Sequence, residues 1–237
     1  MNPTKIVSRD EWLAARTALL AQEKAFTKQR DAVSAARRML PWVKVDKRYE
    51  FDTPGGKQSL ADLFGTESQL ILVHFMFGPD WSEGCPSCSF MADTYDENVA
   101  HFAHRDVSFV VCSRTALAKI EAYKSRMGWS FPWVSSLGSD FNFDFNVSFD
   151  KGAAERGDIT YNYVRSTFPA EEAPGVSVFA KDDKGQVFHT YSTFGRGLDI
   201  LIGTYNYLDL VPKGRDEASL PWSMAWVRRH DQYEGPA

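Results

Sequence analysis

Trp81-Ser82-Glu83-Gly84-Cys85-Pro86-Ser87-Cys88 is the stretch on which the reading of this chain turns. The apolar run Leu70-Ile71-Leu72-Val73-His74-Phe75-Met76-Phe77 leads into it. Behind it, Met91, Tyr95, Val99 and Phe102 recur at three- and four-residue steps, the spacing of one helix face. The pattern is a buried strand, a short loop, and a helix with two cysteines at its mouth. A helix N-terminus presents unpaired N–H groups and the positive end of the helix dipole, both of which favour thiolate over thiol. Pro86 falls at the first helical position, where its fixed φ fits and its missing N–H costs nothing. Cys85 therefore reads as the exposed nucleophile and Cys88, one turn further in, as the resolving thiol. Glu83, close in sequence, opposes the lowering of the Cys85 pKa.

The remaining composition narrows the function classes. The chain has 237 residues, 43% hydrophobic and 14% aromatic, enough for one sizeable core. A formal charge of −4 and the lack of a basic tail give no electrostatic reason to bind nucleic acid. No apolar stretch approaches the ~20 residues that span a bilayer. Met1 to Glu11 is polar and carries no secretory pattern, so the expected location is cytoplasmic. Three cysteines, two of them in CxxC, suit a reduced compartment with a redox pair better than a disulfide framework.

Outward from the motif, the chain divides into three parts: an N-terminal helical extension (1–41), a domain (42–211) with an insert at 138–172, and a C-terminal tail (212–237). Ser8 and Glu11 have capping-box spacing ahead of Trp12, Leu13, Leu19, Leu20, Phe26 and Val33. This predicts a long helix that ends before Pro41. Its stripe calls for packing on the domain or on a second copy of the chain, so a homodimer is one expectation. Val43 and Val45, then Tyr49 and Phe51, read as short strands or a hairpin, and Ser59 caps a short helix over Leu60–Phe64. Val107–Cys112 reads as a strand, Thr115–Met127 as a helix stopped by Gly128, and Phe131–Ser135 as a strand near an edge because of Pro132. Strands alternating with helices in this way imply parallel pairing with right-handed crossovers. Phe141, Phe143, Phe145, Val147 and Phe149 alternate as in a strand. Val176–Ala180 and Val187–Tyr191 flank a Gly-closed loop and predict a hairpin. Leu198, Leu201, Ile202, Tyr205 and Leu208 mark a last helix. Trp222, Trp226 and Val227 tie down the tail.

Ordered in this way, the chain resembles the thioredoxin-like superfamily at three separated places. A strand feeds CxxC at a helix start. Ala173-Pro174-Gly175-Val176 stands just before the late hairpin, where such folds keep a cis-proline facing the cysteines. Gly56-Lys57-Gln58-Ser59-Leu60-Ala61-Asp62-Leu63 is similar to the entry segment of the redoxin and peroxiredoxin branch. More closely, the chain resembles an uncharacterised, mainly bacterial family catalogued as a domain of unknown function and described as predicted dithiol–disulfide oxidoreductases. The pieces that carry this are His74-Phe75-Met76-Phe77-Gly78, Gly84–Cys88, Thr204-Tyr205-Asn206-Tyr207-Leu208-Asp209 and Trp226-Val227-Arg228-Arg229-His230-Asp231. The resemblance implies an α/β, thioredoxin-like fold: a central mixed β-sheet flanked by helices.

The chemistry implied is thiol–disulfide exchange, with Cys85 and Cys88 as the reacting pair and no cofactor. Trp81, Pro86, Ser87, Ala173 and Pro174 would line the approach of a disulfide or peroxide substrate, and an unidentified electron donor would restore the thiols. Departures exist. Thioredoxins place Trp directly before the first cysteine, where Gly84 stands here. The peroxiredoxin pattern Pro-x-x-x-Thr/Ser-x-x-Cys finds Ser82 in the hydroxyl position but Gly78 where proline belongs, and its arginine has three candidates, Arg114, Arg126 and Arg165. A peroxidase with Cys85 as the attacking thiol is thus the rival within catalysis. A metal-binding or redox-inert protein is the rival outside it. Late His189 beside CxxC is similar to the set in redoxin-fold copper chaperones, whose cysteines are wider apart, and no metal ligands are assigned. Cys112 reads as an inert core thiol, His74 as a packed strand residue, and Arg228-Arg229-His230 as a solvated face.

Overall fold

The computed structural model describes residues 5–234, so the outermost residues of the expected extension (1–4) and tail (235–237) lie outside it. The chain forms two compact units, Met1–Pro41 and Trp42–Ala237. The first is built on helix α1, Arg9–Arg38. Its capping box closes as the spacing requires: the Ser8 hydroxyl accepts the Glu11 N–H, and the Glu11 carboxylate accepts the Ser8 N–H at 3.0 Å. Asp10 and Glu11 in the first turn, with Arg37 and Arg38 in the last, complement the helix dipole.

The second unit begins with strands β1 (Val43–Lys44), β2 (Glu50–Thr53) and β3 (Gly56–Ser59), a 3-10 turn Asp62–Phe64, and β4 (Gln69–His74). Helices α2 (Pro86–Ala92) and α3 (Asp96–Ala103) follow the cysteine motif, then β5 (Val107–Ser113), α4 (Leu117–Met127) and β6 (Trp133–Ser135). Helices α5 (Phe141–Asp144) and α6 (Ala153–Arg156) and the hairpin β7 (Ile159–Tyr161) and β8 (Val164–Ser166) follow. Strands β9 (Gly175–Lys181) and β10 (Val187–Phe194), a 3-10 turn Gly195–Leu201 and helix α7 (Gly203–Leu208) complete the domain.

The main sheet has eight strands in the order β1-β10-β9-β4-β5-β6-β2-β3. It is mixed: β4, β5 and β6 run parallel, while β9 lies antiparallel to both β4 and β10. Period-two alternation sends side chains to two cores. Val73, Phe75, Val111 and Trp133 meet Met91, Tyr95, Ile120 and Tyr123 from the helices on one side. Leu70, Leu72, Val110, Val134 and Phe179 meet Leu63, Phe64 and Phe141 on the other. The fold is α/β, a mixed sheet flanked by helices. No helix among the described residues is long and apolar enough to cross a membrane.

Several local expectations are corrected. The motif helix is two helices, α2 and α3. Between them the Tyr95 N–H turns to the Ala92 carbonyl at 3.0 Å, a tighter i→i−3 step, and the Thr94 hydroxyl donates to Met91 O at 3.1 Å. Strand β6 is interior, because Pro132 precedes it and needs no ladder donor. The aromatic run opens as a helix, not a strand. Phe141 and Phe145 stand four apart and pack at 4.6 Å, a pairing equally compatible with helical spacing. The single helix expected over Leu198–Leu208 is a 3-10 turn followed by α7.

One buried polar chain crosses the sheet. His74 Nε2 meets Ser177 Oγ at 2.8 Å, Ser177 Oγ meets Ser192 Oγ at 2.8 Å, and Ser192 Oγ meets His189 Nε2 at 2.7 Å. Burial, with the nearby His189 in support, pushes the His74 pKa down to about 3. The folded state therefore binds His74's proton more weakly than the unfolded chain, whose value is 6.5. The stability this contributes is complete above 6.5 and is lost as pH falls towards 3. Urea midpoints measured down this window should fall more steeply for wild type than for His74→Gln, which has nothing to titrate; equal slopes would contradict the buried neutral imidazole.

Candidate active site

The chain leaves β4 at His74, and Phe75 and Phe77 bury on the helix side of the sheet. The Cys85 N–H then donates back to the Met76 carbonyl at 3.0 Å, closing the loop that carries Trp81 to Gly84. Gly84 is required by close approach: a Cβ there would lie 2.6 Å from the Phe75 ring and 2.9 Å from that of Tyr123. This is the physical reason for glycine where thioredoxins carry a bulky tryptophan. Cys85 caps α2, Pro86 takes the first helical position, and the helix buries Cys88 one turn in.

All three cysteines are free thiols. The Cys88 thiol donates to the Cys85 sulfur, and this holds the Cys85 pKa down to about 7. The backbone N–H groups of Cys88 and Ser87 and the charge of Arg229 act in the same direction against burial. The same contact, with burial, pushes Cys88 well up. One proton is thus shared unequally, with Cys85 the thiolate and Cys88 its donor. Cys112 is remote from this pair in the second core, and burial pushes it up to about 12.

The pair opens into a groove of about 840 Å³. Ser87 and Pro174 line it together with Cys85 and Cys88, and Met76, Met91, Leu198 and Ile202 make its apolar wall. Pro86 stands half-buried at the helix start beside them. Trp81 instead faces Gly78 in an adjoining cavity of about 610 Å³, which also holds Arg114. Ala173 is buried, and its N–H donates to the Val147 carbonyl at 2.8 Å. The cis-proline expectation is not met: every peptide bond among the described residues is trans. The Pro174 carbonyl accepts the Tyr161 hydroxyl at 2.9 Å.

None of the three candidate arginines lines the thiol groove. Arg114 pairs with buried Glu172 at 2.6 Å, Arg126 binds Glu83 and Asp231, and Arg165 binds Asp158 at 2.8 Å. Arg196 and Arg215 line the groove, and the arginine that meets the cysteine loop itself, at the Gly84 carbonyl, is Arg229, in the stretch read from sequence as a solvated face. Its side chain is only 11% exposed and pairs with Glu83 at 2.9 Å. Glu83, expected to oppose the thiolate, is accordingly held between Arg229 and Arg126. The tail reaches this position because the Glu217 carboxylate gathers the Tyr205 hydroxyl, the Trp226 indole N–H and the Met224 N–H within 2.9 Å. The one sequence signal for Arg229 was its place in the family-like piece Trp226–Asp231. Among the described residues, no group of three or more His, Cys, Asp or Glu side chains could hold a metal ion.

The sequence pattern of a family described as "Bacterial protein of unknown function (DUF899)" matches residues 1–233. The chain belongs to this family. A comparison with curated proteins finds no match. Among solved structures, the chain is similar to the peroxidoxin BcpB of Mycobacterium tuberculosis, with a TM-score of 0.46 and 16% identity over 70% of this chain and 96% of that one. It is also similar to peroxiredoxin Q of Xanthomonas campestris, with a TM-score of 0.43 and 14% identity over 71% and 96%. A yeast mitochondrial 1-Cys peroxiredoxin gives 0.40 and 19% over 73% and 78%.

The packing of Gly84 generates a direct expectation for this DUF899 member. Gly84→Ala forces Phe75 or Tyr123 to shift, which should lower stability by about 1–3 kcal/mol. Thermal unfolding of the variant checks this; an unchanged midpoint would show that the loop has room to spare.

Proposed function

We propose that this protein is a thiol–disulfide oxidoreductase in which Cys85 is the nucleophile and Cys88 the resolving thiol. The observation that carries the reading is the placing of both thiols on one open groove at the start of α2, Cys85 as its half-buried N-cap and Cys88 buried one turn in, with one pKa lowered and the other raised. A nucleophile poised near neutral pH is both populated as thiolate and still reactive, since nucleophilicity falls as pKa falls.

Atoms and electrons balance over two exchanges. The Cys85 thiolate attacks one sulfur of a substrate disulfide; that S–S bond breaks, a mixed disulfide forms, and the first substrate sulfur departs as thiolate. Loss of the Cys85 charge removes the partner that held the proton on Cys88. Cys88 gives up that proton and attacks the Cys85 sulfur, which forms the Cys85–Cys88 bond and releases the second substrate thiol. Two electrons pass to the substrate, and a dithiol reductant restores the pair. The apolar wall of Met76, Met91, Leu198 and Ile202 favours a disulfide flanked by apolar groups.

Insulin-disulfide reduction tests the assignment. Cys85→Ser should abolish it, and Cys88→Ser should accumulate mixed disulfides on Cys85, visible by mass spectrometry. Mild oxidation of wild type should yield a Cys85–Cys88 bond. Persistent sulfenic acid on Cys85 with no such bond would favour peroxide reduction, and two variants indistinguishable from wild type would end the redox reading.

A further inference from the structure

Arg229 lies near the C-terminal end of the chain, far in sequence from the cysteines, yet its side chain, 11% exposed, packs against the loop that carries them. Burying a charge is costly unless its N–H groups find acceptors. Three do, and an ion pair adds a fourth contact. Nε donates to the Tyr123 hydroxyl at 2.8 Å, Nη2 to the Gly84 carbonyl at 2.6 Å and Nη1 to the Gln232 amide oxygen at 3.1 Å, while Nη1 also pairs with the Glu83 carboxylate at 2.9 Å.

Proton counting gives the contacts beyond Arg229 a direction. The Ser89 hydroxyl donates its single proton to the Cys85 carbonyl at 2.9 Å. The Tyr123 hydroxyl, 2.9 Å from Ser89 Oγ, must then donate to it, while itself accepting from Arg229. The sequence of donors runs Arg229 to Tyr123 to Ser89 to the Cys85 carbonyl. A second, direct bond reaches the Gly84 carbonyl. Both carbonyls flanking the nucleophile's own side chain are thus tied, directly or through two hydroxyls, to one guanidinium.

We propose that Arg229 is a positioning residue for the thiol–disulfide centre: it fixes the Gly84–Cys85 backbone and adds a positive charge beside the thiolate. The proposal rests on the oxidoreductase reading for its purpose, though its physical content concerns the Cys85 proton alone. The other charges around Cys85 do not supply this. Arg126 on α4 faces two carboxylates, Glu83 and Asp231, whereas Arg229 faces one, the shared Glu83. Across the groove, Arg215 is held by Asp199 and Asp209, Arg196 is held by Asp199, and Glu217 is engaged by Tyr205 and Trp226. Cys88 contributes a proton but no charge.

The test is the pH profile of Cys85 alkylation by iodoacetamide in the full-length reduced protein, followed by mass spectrometry. Arg229→Met keeps apolar bulk and removes the charge. It should shift the profile upward, so that the rate at about pH 6 drops about three- to tenfold while the high-pH plateau is kept. Arg229→Lys should restore much of the low-pH rate. A purely structural role would lower the plateau or the thermal midpoint and leave the titration midpoint in place, which would overturn the proposal. Should Arg229→Met fail to fold, Tyr123→Phe cuts the relayed contact alone: it should raise the midpoint, and an unmoved midpoint in this variant would equally overturn the proposal. Disulfide turnover by wild type is read separately. A protein that reduces no disulfide yet shows the Arg229-dependent midpoint loses the oxidoreductase reading and keeps this one.

Discussion

The pairing of Cys85 and Cys88 at the start of α2 is the constraint around which the site is arranged. It requires one sulfur in a groove and the other in a core, a single helical turn apart. That is met only because β4 ends where α2 begins and the loop between them is folded back on Met76. Two chemically identical side chains acquire opposite proton affinities chiefly from the contact between them, which burial opposes at Cys85 and reinforces at Cys88. The third cysteine shows the contrast: Cys112 has burial without a partner thiol, and burial alone leaves it protonated and inert.

The loop geometry carries a cost in side-chain freedom that the surrounding aromatics impose. Phe75 and Tyr123 converge on Gly84 so closely that no side chain fits, and the backbone is free to present its carbonyl to Arg229. Tyr123 serves twice, as a wall of the first core and as a hydroxyl between Arg229 and Ser89. The tail is therefore part of the site. Its anchoring carboxylate, Glu217, is satisfied by one backbone and two side-chain donors, and the Phe90–Trp226 edge contact at 5.5 Å seats the last stretch on α2.

The opposite face of the sheet follows different physics. His74 sits at the end of β4, one residue before the loop begins, but points into the second core, stacked on Phe141 and linked through two serines to His189. Period-two alternation separates it from the cysteine chemistry despite its closeness in sequence. This explains why the histidine that ends β4 and the late histidine on β10 are linked through serines to each other and not to the thiols.

How much of this was legible beforehand divides along the range of the interactions. Local rules, read from the chain itself, gave the capping box of α1, the strand–loop–helix entry to the cysteines, Pro86 at the helix start, Gly128 as a left-handed stop and the late hairpin, because each depends on neighbours within a few residues. The sequence misled where one pattern fits two periods, as in the run from Phe141 that opens as helix, and where a side chain's neighbour is remote. Arg229 reads as a solvated charge until the tertiary fold brings it against Tyr123 and Gly84, 106 and 145 residues away in the chain. Residue types and local spacing determined that two thiols stand at a helix mouth. Only the folded chain decided which charge faces them, because burial and electrostatics depend on distance through space, which sequence order does not encode.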